Sequence, residues 1–213
     1  MKLFRRSLLA LSLAVSLPTA ALFMPTDASA SVSIAVGFDA IVKDADAVAI
    51  VSATESSSVW EEGRIFTYTK VKVDENVAGD LPAGSEVWIR TMGGVVGKIG
   101  QMVDGEPTFT VGKPSLLFLR RFKTSGTWEV SARAQGQYPV VPDEITKAKK
   151  VVRSSSAGLV LPPKTAAVAP PRVAPESKVR LAQDVMHDRP VADVTREIAT
   201  TFKKLHSSAA KSE

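Results

Sequence analysis

The sequence predicts a mainly β protein: a small antiparallel sandwich or barrel with a short helix before it and an amphipathic helix after it. Three observations predict this fold class. Between residues 47 and 154, five to seven short segments either alternate apolar and polar residues or are continuously apolar. Gly and Pro turns separate those segments. Helical periodicity is confined to the two ends, which indicates a sheet with little helix.

Each predicted element has its own local signal in the sequence. Phe38, Ile41 and Val42 stand at helical spacing and predict the short first helix. Residues 47–54 (AVAIVSAT) form a run of small and β-branched residues, typical of a strand buried on both faces. The remaining strands are predicted by alternation, or by apolar runs bounded by turns, at residues 64–76, 86–92, 115–121 and 127–134, with a terminal pair at 136–141 and 148–154.

The first thirty residues are predicted to be a signal peptide rather than part of the fold. A positively charged start (residues 2–6) precedes an apolar stretch (residues 8–23), and Ala28-Ser29-Ala30 is the small-x-small pattern that signal peptidase reads. We expect cleavage after Ala30 and Sec export to the periplasm or the extracellular medium. An uncleaved membrane anchor is the alternative, and we expect no membrane span in the mature chain.

Composition excludes several kinds of site. The chain has no cysteine, which excludes disulfides, thiolate metal sites, cysteine nucleophiles and a lipoprotein anchor. Residues 31–142 carry 11 Lys and Arg against 13 Asp and Glu, whereas residues 143–213 carry 13 against 8. The predicted β module is therefore net acidic. Because its aromatic residues are not interleaved with basic ones, we expect no nucleic-acid binding.

The sequence divides into a β domain (31–161), a linker (162–177) and a C-terminal helical segment with its tail (178–213). The linker contains five prolines, which predict an extended spacer. In the C-terminal segment, Asp188 is placed to cap a helix whose first turn holds Pro190.

One apolar stripe runs along the predicted C-terminal helix. Its members recur at spacings of three and four residues: Val191, Val194, Ile198, Phe202 and Leu205. Docking on the β domain is the favoured way to bury such a stripe. A partner that meets the helix at the end of the linker, or a membrane surface, are the alternatives. These five residues are therefore candidates for an interaction surface.

The segment RTMGGVVGKIGQMVDGEPTF (residues 90–109) is rich in glycine but is not a phosphate-binding loop. A P-loop needs four residues between its glycines and a hydroxyl residue after its lysine, whereas Ile99 follows Lys98 here. The dinucleotide pattern G-x-G-x-x-G is absent as well. The glycines instead predict turns with positive φ and a close backbone approach. The loop adds four residues to the candidate interaction surface: Gly93, Gly94, Gly97 and Gly100.

Residues with catalytic potential are present, but not in a recognisable motif. His187 and His206 both lie in the C-terminal segment, away from the predicted strands. The serines at 56–58 lack a G-x-S-x-G context, and a Ser–Lys dyad stays open without motif support. Glu61 and Glu62 fit a solvated hairpin turn. We therefore expect no catalytic residues, no metal and no cofactor, and we predict that the protein is not an enzyme.

Three segments together carry a family resemblance: the loop GGVVGKIG, the strand LLFLRR and the segment ARAQGQYPV. With DADAVAIV and RIFTYT, they are similar to an uncharacterised family of secreted bacterial proteins over residues 38–141. Val77-Ala78-Gly79 stands where that family often has Leu-Lys-Gly, and Lys113 where it often has an acidic residue. That family has no assigned chemistry, so the resemblance implies no activity.

More distantly, the strand order is similar to the netrin-like, OB-type barrel of the tissue metalloproteinase inhibitors. This resemblance implies a small OB-like barrel. Those inhibitors act through a free N-terminal cysteine and are disulfide-bonded. Because this chain has no cysteine, the resemblance does not imply their inhibitory mechanism.

These observations predict an exported, non-catalytic β module with a binding or structural role in the cell envelope or the extracellular space. The expected partner is a protein or an envelope polymer. A protease inhibitor or enzyme accessory subunit is the alternative, and it needs an exposed N-terminal strand or loop. A hydrolase of unknown type is a further alternative, and it needs a polar pocket with a perturbed titratable group.

Overall fold

The computed structural model describes residues 32–122, 126–163 and 179–209. The predicted signal peptide and nearly all of the predicted linker lie outside the described residues. The described elements, in chain order, are β1 (Val32–Ile34), α1 (Phe38–Asp44), β2 (Ala47–Glu61), β3 (Arg64–Gly79), β4 (Glu86–Met92), β5 (Gly94–Val96), β6 (Ile99–Gln101), β7 (Pro114–Arg121), β8 (Trp128–Val130), β9 (Gln137–Pro142), β10 (Lys149–Val151), β11 (Leu159–Leu161), α2 (Ala182–Met186), β12 (Arg189–Pro190) and α3 (Val191–Ala209).

Five strands form a ring-like sheet, which confirms that the protein is mainly β. The neighbours run in the order β7, β2, β3, β4 and β8, and β8 also pairs with β7. All of these pairings are antiparallel except that of β4 with β8, which meet in parallel at Ile89 and Trp128. The long β2–β3 hairpin turns through Glu62 and Gly63, whose φ angles of 50° and 78° suit a two-residue turn. The predicted turn is confirmed at Glu62 and Gly63, whereas Glu61 belongs to β2 and accepts hydrogen bonds from Tyr68 and Arg90 rather than being solvated.

The interior of the ring is filled by side chains that alternate along its strands. In the first half of β2, Ala47, Ala49, Val51 and Ala53 point inward, whereas Val48 and Ile50 point outward. All six residues are buried, as the continuous apolar run predicts. The interior cluster consists of Ala47, Ala49, Val51, Ala53, Val71, Val73, Leu81, Ile89, Leu117, Leu119, Trp128 and Val130.

A second apolar core lies between the outer face of the sheet and the three helices. Its largest buried side chains from the sheet are Phe118 and Tyr138, whose rings meet edge to face at 6.4 Å. Helix α1 contributes its predicted apolar side, with Phe38 fully buried. Helices α2 and α3 close this core through Met186 and Ile198, both fully buried. Helix α3 is therefore an integral part of the fold.

Several predicted element boundaries are wrong. Strand β2 continues to Glu61 rather than ending at residue 54, and β10 ends at Val151 rather than at residue 154. Strand β8 ends at Val130 rather than continuing to residue 134, because Ala132 and Arg133 both have left-handed backbone, with φ of 55° and 53°. Helix α3 begins at Val191, after Pro190. Asp188 does not start the helix, since its backbone is left-handed (φ 60°) and its carboxylate lies 2.5 Å from the ammonium group of Lys150.

Candidate functional site

The predicted glycine loop forms a hairpin, β5–β6, that is attached to the β2–β3 hairpin. The hydroxyl of Thr67 donates to the carbonyl of Gly93 at 2.6 Å. The side-chain carbonyl of Gln101 accepts from the N–H of Ile65 at 2.9 Å. A Cβ at Gly94 would collide with Ser58 and Thr67, so the backbone approaches closely where the sequence predicts it.

The β5–β6 hairpin exposes large apolar side chains but does not gather them on one face. Val95 is 66% exposed and Ile99 is 56% exposed. The register pairs Ile99 with Val96, so Ile99 and Val95 project from opposite faces of the hairpin. Of the four predicted glycines, Gly100 is the one without positive φ. Gly97 and Gly100 are exposed, whereas Gly94 is half-buried and Gly93 is buried, and the loop presents no single apolar face.

A second exposed apolar surface is built by β1 and β11, which pair in parallel and which we call the β1–β11 ribbon. The register places Val32 opposite Leu159 and Ile34 opposite Leu161. Since alternate residues of a strand share a face, these four side chains project together. Their exposed fractions are 53%, 55%, 67% and 47% in that order. The residues between them, Ser33 and Val160, are half-buried.

The ribbon is held firmly in place by the segment AQG, one of the motifs in the family resemblance. The N–H of Ala35 donates to the carbonyl of Leu161 at 2.7 Å. Gln135 then binds the other edge of the strand: its side-chain carbonyl accepts from Val36 N–H and its amide donates to the Ile34 carbonyl, both at 3.0 Å. This part of the motif therefore has a structural role.

The apolar stripe of α3 packs into the second core and is not a surface left free for a partner. Val194 and Ile198 are fully buried in the second core, and Val191, Phe202 and Leu205 pack against it. The favoured prediction, that this stripe docks on the β domain, is therefore confirmed. Phe202 also stacks on His206, with ring centroids 3.8 Å apart.

A cleft of about 300 Å³, here called the arginine cleft, lies beside β4 and β8. Its charged lining residues are Arg64, Glu106, Arg90, Arg120, Glu129 and Arg133. They come from β3, β4, β7, β8, the loop after β6 and the turn after β8, so no local sequence pattern connects them. Sequence reasoning missed this cluster because strand pairing alone brings its members together.

Arg90 is the centre of an ion-pair network at one wall of the cleft. Its guanidinium donates to Glu61 at 3.1 Å and to Glu129 at 3.5 Å. It also lies 3.5 Å from the ring centroid of Phe66, a cation–π contact. The Tyr68 hydroxyl donates to Glu61 at 2.6 Å, and this hydrogen bond, with the help of Arg90, lowers the pKa of the Glu61 carboxyl. Burial and the neighbouring Glu61 raise the pKa of Tyr68.

The opposite wall of the cleft is the turn that follows β8. Arg133 Nε lies 3.3 Å from Glu106, and the second oxygen of Glu106 accepts from Met92 N–H at 3.1 Å. The N–H of Ala134 donates to the carbonyl of Gly105, which fixes this turn against the loop after β6. Ser131 is fully buried, and its hydroxyl has no hydrogen-bond partner among the residues that the structure describes.

Two other residues considered for catalysis, His187 and Ser58, are engaged in structural contacts. His187 Nδ1 accepts from the N–H of Arg153 at 3.0 Å. Ser58 shares a 2.8 Å hydrogen bond with Thr67 across the β2–β3 hairpin. Within the described ranges, no group of three or more His, Asp or Glu side chains is placed to hold a metal ion. None of the helices described has both the length and the apolarity needed to cross a bilayer.

Comparison with known proteins adds no template for the site. No protein-family model, no curated protein and no solved structure matches this chain significantly. Two features of the molecule suggest a function: the exposed face of the ribbon and the arginine cleft.

Proposed function

We propose that this protein is an exported, non-catalytic binding module of the cell envelope or the extracellular space, and that the β1–β11 ribbon is its contact with a protein partner. The observation that carries this proposal is the apolar face of the ribbon, where four aliphatic side chains are each about half exposed. Contiguous apolar surface of this kind is typical of protein contact sites. Export rests on the signal peptide that the sequence predicts.

The chemistry of the face favours a protein over an envelope polymer. Val32, Ile34, Leu159 and Leu161 carry no side-chain hydrogen-bonding group, whereas a polysaccharide presents many hydroxyls that need partners. Apolar side chains of a partner protein would gain from burial against this face. The anchoring of Ile34 and Val36 by Gln135 supports a preformed surface, which lowers the entropic cost of binding.

The same anchoring bears on the alternative, a protease inhibitor or enzyme accessory subunit. An inhibitor of that kind needs an N-terminal strand that projects into an enzyme cleft. Strand β1 is instead paired with β11 on one edge and bound by Gln135 on the other. This arrangement supports docking of a flat face rather than insertion of a free segment.

For the fold, we propose the OB-like type that the netrin-like resemblance implies. Numbered along the chain, the five ring strands follow one another as first, second, third, fifth and fourth, and the fourth returns to the first. The single parallel pairing joins the third to the fifth. This order supports a five-stranded Greek-key arrangement of OB type. It carries no argument about function.

The binding proposal is tested by affinity capture from an envelope extract of the producing cell, with the chain that starts at Ser31. The ribbon variant combines Ile34→Ser with Leu159→Ser. The matched control combines Val95→Ser with Ile99→Ser on the β5–β6 hairpin. It also replaces two aliphatic side chains by serine, and these side chains are exposed to a similar degree. We expect the ribbon variant to recover at least about ten-fold less partner than the wild type, because central apolar contacts dominate protein interfaces.

The control variant should recover the partner as the wild type does. If the ribbon variant also recovers it fully, the ribbon is not the contact. If the control alone loses it, the hairpin is the contact and the proposal about the ribbon is wrong. Circular dichroism of both variants checks that the fold is retained, since all four residues are exposed.

A further inference from the structure

The arginine cleft suggests a second binding activity, independent of the ribbon. Four guanidinium groups and two carboxylates line about 300 Å³. Three of the four arginines pair with carboxylates, and two of these, Arg90 and Arg120, bind the same carboxylate of Glu129. Arg90, whose side chain is 16% exposed, is held by Glu61 and Glu129, and Arg120 lies 3.4 Å from Glu129. These two fix the wall of the cleft.

The other two arginines have donors to spare. Arg133 uses Nε toward Glu106, and its terminal amino groups have no acceptor among the described residues. Arg64 is exposed and makes no ion pair with any described side chain. A guanidinium has five N–H donors in a planar fork that matches the two oxygens of a carboxylate or a phosphate. Arg64 and Arg133 can therefore both donate to one ligand in the cleft.

The backbone at Arg133 is held in a conformation that costs energy. Ala132 and Arg133 follow one another with φ of 55° and 53°, a region that L-residues other than glycine enter at a cost. The surrounding hydrogen bonds enforce it: Gln135 N–H donates to the Ala132 carbonyl, and Ala134 N–H donates to the Gly105 carbonyl. Strain of this kind concentrates at ligand-binding sites, where it aims a side chain. Here it directs Arg133 to the rim of the cleft.

We propose that the arginine cleft binds a small polyanion through Arg64 and Arg133. The ligand carries at least two oxyanion groups, either phosphates or carboxylates, because both geometries fit the guanidinium fork. The cleft has the size of a small molecule or the end group of a polymer, not of a folded protein. The carboxylates of Glu106 and Glu129 are each compensated by an arginine, so the charge that Arg64 adds is available to the ligand.

Two probes separate the two oxyanion chemistries. Inorganic pyrophosphate and citrate are each titrated into the chain that starts at Ser31, by calorimetry, at constant ionic strength set with chloride. We expect saturable binding of at least one of them at a single site. Preference for pyrophosphate would assign a phosphate ligand, and preference for citrate a carboxylate ligand; both results support the proposal.

Three variants place the binding in the cleft. Arg64→Gln removes an exposed cation without an ion pair, so it leaves the fold intact, and Arg133→Gln removes the second donor. We expect each to weaken the affinity by about ten-fold or more, as lost charge-assisted hydrogen bonds do. Arg196→Gln, which removes a 77% exposed arginine on α3, is the control and should bind as the wild type does.

Three results would overturn the proposal. The first is that neither anion binds in the millimolar range. The second is that Arg64→Gln binds with the affinity of the wild type. The third is that Arg196→Gln weakens binding as much as the two cleft variants, which would indicate general attraction to the positive charge of the chain.

Discussion

At the scale of single residues, the fold depends on a few positions where the surroundings require one particular amino acid. Gly94 allows β5 to lie directly on the β2–β3 hairpin, since a Cβ there would collide with Ser58 and Thr67. Gln135 and Gln137 act similarly through hydrogen bonds. Gln135 fixes β1, and the buried Gln137 binds both the N–H and the carbonyl of Thr108. These packing and hydrogen-bonding needs explain Gly94 and the glutamine of the AQG segment.

Gly94→Ala tests the close approach of the two hairpins. Gly94 combines a φ of 134° with a contact that leaves no room for a methyl group, so we expect the free energy of unfolding to fall by about 3 kcal/mol. Gly97→Ala is the control. Gly97 also has positive φ (62°) but lies in open space, so its loss should be about 1 kcal/mol. Urea denaturation measures both, and equal losses would show that the close approach contributes nothing.

At the scale of elements, the longer strands and helices were predictable from sequence, whereas most of the three-residue strands were not. Strands β8 and β10 have three residues each and were predicted, but with ends placed too far along the chain. Strands β3, β4 and β7 are where alternation or apolar runs place them, and β2 begins where predicted but continues beyond residue 54 to Glu61. Strands β1 and β11 have three residues each and were missed. In so short a stretch, periodicity has no statistical weight, and the two strands are distant in sequence. The end of β8 was also missed, because tertiary hydrogen bonds impose the left-handed backbone at Ala132 and Arg133.

The turn between β9 and β10 gives a pH prediction. Asp143 accepts hydrogen bonds from the N–H and hydroxyl of Thr146 and from Ile145 N–H, and it pairs with Lys150 at 3.2 Å. These contacts, led by the Thr146 N–H, lower the pKa of Asp143 from 3.8 to about 2. Because the folded pKa is the lower one, the stabilisation is complete above the unfolded value of 3.8 and is lost as the pH falls from there toward about 2.

Carboxyl NMR titration should therefore find Asp143 ionised below the pH at which an unfolded aspartate takes up its proton. In Asp143→Asn, the free energy of unfolding should no longer contain the pH dependence that Asp143 contributes between these two pKa values. Glu144→Gln removes a neighbouring carboxylate outside this set of hydrogen bonds, and it should keep the pH dependence of the wild type. An Asp143 pKa near its ordinary value would contradict the assignment.

At the scale of the whole molecule, the protein has two cores that share one sheet. One fills the ring, and the other needs α1, α2 and α3 to cover the outer face of β2, β7 and β9. Pattern reasoning gave the apolar stripe of α3 but left three ways to bury it, because amphipathicity does not specify what an apolar face contacts. The arginine cleft could not be predicted from the sequence at all. Its residues are unrelated in sequence, and only the closure of β8 onto β4 and β7 assembles them.

A chain that ends at Ser156 tests whether the second core is required for folding. It lacks β11, α2 and α3 and would expose Phe38, Phe118 and Tyr138 to water, while Met186 and Ile198 would be absent. Burying one large apolar side chain contributes about 2 kcal/mol, so losing several such contacts exceeds the stability of an ordinary domain. We therefore expect no cooperative thermal transition and strong binding of a hydrophobic dye.

Two matched chains separate this effect from mere shortening. Replacing residues 164–178 by a Gly-Ser segment of equal length keeps α2 and α3, and it should preserve the wild-type melting temperature if that stretch is the spacer that its prolines predict. In the full-length chain, Ile198→Ala should lower the free energy of unfolding by about 2–5 kcal/mol, because this side chain is fully buried. Ile145→Ala, at a residue that is 91% exposed, should leave it nearly unchanged. A cooperative, wild-type-like transition in the chain that ends at Ser156 would mean that the ring folds without α2 and α3, and that α3 could leave the sheet to meet a partner.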